Sequence, residues 1–308
     1  MALTRTLSFL FSLIKVKPRV ALIFCSDGAS AIEKGFMVVF CKIFGVDSLI
    51  FPRAGNLIEQ TKNSIFYRRL IKFLFRNSKI FLAQGEHWKS FAEKQLDILP
   101  TKIKLVHNWT ATPELLNIGA NRKYKYDQNI THFLFVGWLE KEKGLNEILK
   151  SIELLNKKKY TFMFTFIGDG RGMNFAKKFI YEKELENSVV FRGWVKPQYV
   201  KEYYREADVF VLPSWAEGMP NALIEALSCG LATIVSNVGM ITNYLVNEEN
   251  ALIVKPNDSK SLTQSMERLL VDKDLKINIS KNGYKVANKY FSTEKQLRSL
   301  ASSIKQLI

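Results

Sequence analysis

The chain has 308 residues, a length suited to two domains. Apolar residues make up 47% and charged residues 24%, with 8 Pro and 16 Gly spread along it, which excludes wholesale disorder and collagen-like or low-complexity sequence. Three Cys (Cys25, Cys41, Cys229) are too far apart for a disulfide scaffold or paired zinc ligands and fit a reducing cytosol, and three His (His87, His107, His132) share no metal-ligand interval, so no metal is expected. The net charge is +16, and residues 1–108 hold 17 Lys and Arg against 7 Asp and Glu, so the amino-terminal third is the more basic part. Nucleic acid, a phospholipid surface or a phosphorylated small molecule would suit that balance, as would a plainly solvated Lys-rich surface.

Residues 7–14 form an apolar stretch far shorter than the ~20 residues a membrane span takes. Lys15, Lys17 and Arg19 stand where a signal peptide needs small residues, so an amphipathic helix packed on a core is expected. Strands follow at 19–25, 47–52, 79–84 and 102–107, with helices over 29–44, 56–77 and 86–97. Runs apolar on both faces, joined by crossover helices, imply a parallel sheet covered on both sides. Within this part, FYRRLIKFLFRNSKIF (66–81) mixes Arg, Lys and Phe; it suits an anionic lipid surface or a core helix with a charged outer face. Residues 109–130 are polar and aperiodic and read as a linker between a domain at 1–108 and one at 131–291.

The alternation then resumes, with strands at 131–137, 162–168, 188–193, 208–213, 232–236 and 251–256. A long helical stretch from Ser259 is expected to break near Gly283, and a last helix at 292–308 to pack back on the first domain. The pattern is that of two doubly wound α/β domains, whose ligands bind beyond the carboxyl ends of the strands, with the cleft between the domains as the natural site.

Three strand-to-helix loops carry chemistry. In SWAEGMPNALIEALSCGLATIVS, Pro220 can open a helix and Gly230 can end it, so Glu217-Gly218-Met219 sits at a helix N-terminus whose free N–H groups favour a phosphate or a sugar oxygen. Glu225, two turns in, can accept two hydrogen bonds from a vicinal diol; both acids could equally be a dipole-matched residue and a surface residue. In FLFVGWLEKEKGLNEILKSIELL, Lys143 beside a helix start suits a diphosphate, or is one charge of a solvated turn. In FTFIGDGRGM the third Gly of a dinucleotide fingerprint is replaced by Met173, which leaves a tight turn.

The blocks FVGWLEKEKG, FIGDGRG, VVFRGWV, ADVFVLPSWAEGMPNALIEALSCGLATIVSNVG and NEENALIVKPND, in that order and spacing, resemble family 4 glycosyltransferases of the GT-B fold over residues 131–258. The resemblance implies an α/β GT-B architecture of two Rossmann-like domains facing a cleft. It also implies transfer of a sugar from a nucleotide-diphosphate sugar with retention of configuration and without a metal or other cofactor. By the same resemblance Lys143 neutralises the diphosphate, Glu217 contacts the donor sugar and Glu225 binds the ribose. The backbone at Gly137, Trp138, Gly218, Met219, Pro220 and Asn221 completes the donor site, and Val195 lies beside the base. Preorganised positive groups would then act where charge develops on the leaving group. Asp27, Arg53 and Gln84, at strand ends of the first domain, fall on the acceptor side, with Glu86 nearby and Asn108 at the hinge; each is also an ordinary turn or cap residue.

Three departures stand out. Trp138 occupies the place of a second diphosphate-binding cation, for which Arg171 is a substitute. Gly239-Met240-Ile241-Thr242-Asn243 replaces a Gly-Gly turn ending in an acid. The first domain lacks a Gly-rich opening strand and loop and reads as shortened. The expected partners are a nucleotide sugar, a lipid-linked or polysaccharide acceptor in bacterial lipopolysaccharide, O-antigen or capsule synthesis, and an anionic membrane touched peripherally from the cytoplasm. The alternative is an inactive remnant that binds nucleotide or a partner protein. Nucleic acid is not expected, because no recognised binding module is present.

Overall fold

Apolar runs of three to six residues, bounded by turns, become the strands of two parallel sheets, the inner ones such as Ile80–Ala83 and Val209–Leu212 buried at every position. The structure, a computed structural model, describes residues 2–124 and 130–308, with backbone only at residues 2 and 3. Two compact units result, one from residues up to 108 together with 294–308, the other from 109–293.

The first unit runs α1 (Ala2–Val16), β1 (Val20–Cys25), α2 (Gly28–Ile43), β2 (Asp47–Pro52), α3 (Asn56–Asn63), α4 (Ile65–Phe75), β3 (Ile80–Ala83), α5 (Glu86–Lys94) and β4 (Ile103–Leu105). Its strands are parallel in the order β1-β2-β3-β4. The helix expected over 56–77 is two helices, because the Ser64 hydroxyl accepts from the Tyr67 N–H at 3.2 Å and caps a new start. The first helix forms, but it seats less of itself than its pattern suggests: Leu13 is buried, whereas Leu7, Phe11 and Ile14 are exposed.

The second unit runs α6 (Pro113–Ala120), β5 (Thr131–Val136), α7 (Leu145–Lys157), β6 (Phe162–Ile167), α8 (Met173–Glu182), β7 (Val189–Phe191), α9 (Pro197–Glu206), β8 (Val209–Leu212), α10 (Asn221–Ser228), β9 (Ala232–Ser236), β10 (Leu252–Val254), α11 (Ser259–Val271) and α12 (Lys273–Tyr290). The final helix, α13 (Thr293–Lys305), joins the first unit, where the Gln296 side chain accepts from the His107 N–H at 2.8 Å. The six-stranded sheet has the order β10-β9-β8-β5-β6-β7. The chain winds outward from β5 to β7, then returns to the other side of β5 as β8, so the winding reverses between β5 and β8. In such a sheet the carboxyl ends of those two strands open a crevice. The core on the other flank is a Phe ladder. Phe133 stacks on Phe164 at 6.0 Å, Phe164 meets Phe166 in a tilted contact at 4.6 Å and Phe166 stacks on Phe191 at 4.9 Å between ring centroids.

Two expectations change here. The span 109–130, read as a linker, contains α6, started by the Thr112 cap (Leu115 N–H to its hydroxyl, 3.3 Å) and Pro113 and packed on α10 and α12; residues 125–129 lie outside the described ones. The long helix breaks at Asp272, whose carboxylate accepts from the Leu275 N–H at 2.9 Å, and runs straight through Gly283. That glycine serves packing: a Cβ there would lie 2.7 Å from Leu227 Cδ2 on α10.

Arg122 holds the far side of this unit. Its guanidinium donates to the carbonyls of Cys229 (2.6 Å), Ala207 (2.8 Å) and Tyr204 (2.5 Å), at the C-terminal ends of α10 and α9. A cation there meets the negative ends of both helices and satisfies carbonyls that lack helical partners. Arg122→Ala leaves those carbonyls unpaired and is expected to cost about 2–4 kcal/mol. A thermal melt checks it; a midpoint within a degree of the wild type would refute the role.

Candidate functional site

The crevice at the carboxyl ends of β5 and β8 is built from two loops. The first leaves β5 through Gly137 and Trp138, forms a 3-10 turn at Lys141–Lys143, and enters α7 at Gly144. Gly144 has φ +77, and a Cβ there would lie 2.3 Å from the Pro213 carbonyl oxygen, so only glycine lets this loop press against the end of β8. The second loop leaves β8 at Pro213 and reaches α10 through Glu217, Gly218, Met219 and Pro220. The Trp215 N–H donates to the Glu142 carbonyl at 2.8 Å and clips the two loops together. Behind them Gly239, at φ +59, comes so close that a Cβ would lie 1.9 Å from the Glu217 carbonyl oxygen, and the Met240 N–H donates to the Gly218 carbonyl at 3.0 Å. The turn that departs from the Gly-Gly pattern thus still supports the 217–218 loop through its one glycine.

Side chains complete the crevice. Lys143 Nζ donates to Glu217 Oε1 at 2.6 Å, the acid mostly buried and the amine less so. Pro220 precedes α10, and Asn221 starts it, so the helix presents its N-terminal end to the same loop. The Ser214 hydroxyl and the Trp215 indole N–H are buried there without a hydrogen-bond partner among the described residues.

Glu225, in the second turn of α10, lines a cavity of about 570 Å³ together with Val136, Val195, Pro197, Val200 and Tyr204. That is within the range of small-ligand pockets, and its wall is largely apolar. The Tyr204 hydroxyl donates to Glu225 Oε2 at 3.0 Å. Burial pushes the Glu225 carboxyl above its ordinary pKa, and that hydrogen bond pulls it partly back.

The sequence-predicted residues therefore fall into two groups within this unit. Lys143 and Glu217 meet as an ion pair; Val195 and Glu225 share the cavity; Gly218, Met219, Pro220 and Asn221 join the groups along the chain. Trp138 is exposed on the rim. Arg171, exposed, donates from its Nε to Glu140 at 3.1 Å, so it would have to change partner to serve a diphosphate. Tyr204 and Arg122 escaped the sequence reading, since their contacts to α10 join residues 18 to 107 positions apart. The nearest signal was a buried-side Tyr ahead of the Ala-Asp that opens β8.

In the first unit, Asp27, Arg53 and Gln84 each follow a strand. Asp27 accepts from Asn56 Nδ2 at 2.8 Å. The Arg53 guanidinium lies 4.9 Å over the Phe51 ring, and burial pulls its pKa down. Gln84 is buried and donates to the Pro52 carbonyl at 2.6 Å, which makes it a tie between strand ends. Glu86 is exposed at the start of α5, and Asn108 is buried.

Known proteins bear on this arrangement. A galactosyltransferase of Escherichia coli, named UDP-Gal:alpha-D-GlcNAc-diphosphoundecaprenol alpha-1,3-galactosyltransferase, is 27% identical over 260 residues, 79% of this chain and 65% of that protein. Sucrose-phosphate synthase from Thermosynechococcus elongatus superposes with a TM-score of 0.77 at 19% identity over 98% of this chain and 77% of its own. Anabaena HepE in complex with UDP superposes with a TM-score of 0.75 at 15% identity over 96% and 82%. Both likenesses establish the fold, parallel α/β domains of the GT-B type. The chain spans 40–65% of the length of the first curated relatives it matches. The family described as "Glycosyl transferases group 1" matches residues 121–286, a span that holds Lys143, Val195, Glu217 and Glu225 and exceeds half of the sequence, and the chain belongs to that family.

Proposed function

We propose that this chain transfers a sugar from a nucleotide-diphosphate sugar to a lipid-linked or polysaccharide acceptor of a bacterial surface glycan, with retention of configuration and without a metal ion. The observation that carries the reading is the meeting of Lys143 and Glu217 where the sheet reverses its winding. A diphosphate entering the crevice takes the place of Glu217 as the partner of Lys143 and receives the free N–H groups of α10. Glu217 is then released toward the hydroxyls of the donor sugar, and Glu225 takes the ribose diol, with the base against Val195 and Val136. The Escherichia coli relative, whose name gives UDP-Gal and a diphosphoundecaprenol-linked sugar, and the UDP-bound HepE structure support a nucleotide-sugar donor.

A melting-temperature panel of nucleoside diphosphates and nucleotide sugars, run with and without EDTA, tests this. A ligand at 100 times its Kd adds about 2.7 kcal/mol to stability, enough to raise the midpoint by several degrees. No shift with any of them would end the proposal, and a shift lost with EDTA would end its metal-free part.

We place the first unit against the inner, anionic face of the cytoplasmic membrane. On α4, Ile65, Phe66, Arg69, Phe73 and Arg76 are all exposed and fall within ~100° of the helix circumference, apolar and cationic side by side. Among the described residues no helix is long and apolar enough to cross a membrane. Flotation with anionic vesicles is expected and should weaken in ~1 M salt, where the screening length is ~3 Å; flotation indifferent to salt and to lipid charge would refute it.

A further inference from the structure

We infer that Tyr204 is a positioning residue for nucleotide recognition, its hydroxyl holding Oε2 of Glu225 at 3.0 Å so that the other carboxylate oxygen stays presented to the cavity both residues line. This rests on the donor reading of that cavity.

The phenol is 1% exposed and packs against Phe210 of β8 with centroids 6.3 Å apart. A phenylalanine would fill the same space, so the hydroxyl is surplus to packing. A buried hydroxyl needs partners, and both of those it has lie on α10: Glu225, and the Ala222 carbonyl at 3.3 Å. Among the described residues, Tyr204 alone donates to the Glu225 carboxylate. The register of the two helices is fixed from behind by Arg122, which donates to the carbonyl of Tyr204 at 2.5 Å and of Cys229 at 2.6 Å. Donor, acceptor and the helices that carry them are thus held in place before any ligand arrives.

The charge state follows the same geometry. Burial favours the neutral carboxyl of Glu225, and the Tyr204 hydrogen bond favours the charged form. Two hydroxyls of a vicinal diol bind best to a charged acceptor. The other charged or titratable groups nearby are Lys201 of α9 and Glu114 of α6, which pair with each other; Cys229 just past the end of α10, whose thiol burial pushes up to about 12; and Arg122, committed to carbonyls. Removing the Tyr204 hydroxyl therefore raises the Glu225 pKa further, and the fall in nucleotide affinity on acidification should begin at a higher pH.

The test uses the full chain, its Tyr204→Phe and Glu225→Gln variants and the double variant. Each is titrated calorimetrically with uridine and guanosine diphosphate, then with the 2′-deoxy form of whichever binds the wild type more tightly. Tyr204→Phe is expected to weaken the ribonucleotide roughly tenfold, to affect the deoxy form far less, and to move the acid limb of affinity upward. The double variant should bind no worse than Glu225→Gln alone. Equal losses for both nucleotides with an unmoved acid limb, additive losses in the double variant, or no loss at all would each overturn the inference. If neither diphosphate binds, or if Glu225→Gln and the wild type treat both sugars alike, it is the donor reading that fails. If Glu225→Gln loses the ribose preference of the wild type and Tyr204→Phe behaves as wild type, only the role of Tyr204 falls.

Discussion

Lys143→Ala is expected to lower kcat for sugar transfer by about 10²–10³-fold, with a smaller loss of donor affinity. The reason is the place of the charge. Lys143 Nζ donates to Glu217 Oε1 at 2.6 Å, at the point where the sheet reverses its winding. A donor diphosphate exchanges one anionic partner for another, so part of the ground-state gain is offset by breaking that ion pair. As the glycosidic bond breaks, negative charge accumulates on the leaving phosphate. A positioned cation then gains more than it did in the ground state, which is the condition for accelerating chemistry; losing one such group typically costs about 3–4 kcal/mol of barrier. Trp138 brings no charge to the loop and does not compensate, and Arg171, exposed and paired with Glu140, would have to change partner to do so. Steady-state transfer, or donor hydrolysis where the acceptor is not in hand, reads the effect. A kcat within threefold of wild type would remove Lys143 from the reaction.

Glu225→Gln is expected to separate stability from function. Burial raises the carboxyl pKa above its ordinary 4.5, so at neutral pH the folded state carries a charge it would rather not hold. For an acid with a raised folded pKa, that cost is fully present above the raised value and fades as pH falls toward 4.5. Glutamine carries no such cost and can still accept from Tyr204, so the variant should melt at the wild-type temperature or slightly above it, by about 1 kcal/mol at most. Nucleotide affinity should nevertheless fall about tenfold or more, since a neutral amide is a weaker acceptor for a diol. For the wild type, affinity should decline as pH falls through the raised pKa, and in Glu225→Gln it should be flat across the same window. A variant that melts lower and binds equally well would contradict both halves. Paired melting and titration calorimetry on one preparation decide it.

Much of this was legible because buried parallel strands announce themselves. VFVL of β8 is buried at every position, and its run of β-branched and aromatic residues has no solvent face to interrupt it. Lys143 and Glu217 stand out because strand-to-helix loops have their own chemistry, a glycine or proline for the turn and a charge for the helix end; Glu225, inside α10, stands out by its spacing from Glu217 and by the family resemblance. What was missed depends on distant contacts. Gly283 reads as a helix break but serves to let α12 lie against Leu227; the break at Asp272 carries an ordinary cap signal that the glycine eleven residues on outweighs in the sequence. α6 was hidden by the polar residues after it, though Thr112, Pro113 and Glu114 spell a helix start. The Gln84 amide donates to the Pro52 carbonyl, a tie between strand ends that its place in the sequence does not announce. Tyr204 was invisible because nothing local marks a tyrosine that will meet a glutamate on the next helix but one strand.

A crystal structure of the chain with a bound nucleoside diphosphate, grown in EDTA, tests the central claim most directly. The account predicts the diphosphate against Lys143 and the turn at 217–221, the ribose hydroxyls on Glu225, and no cation between them. Ligand lodged away from that turn, or held there through a metal ion, would contradict it.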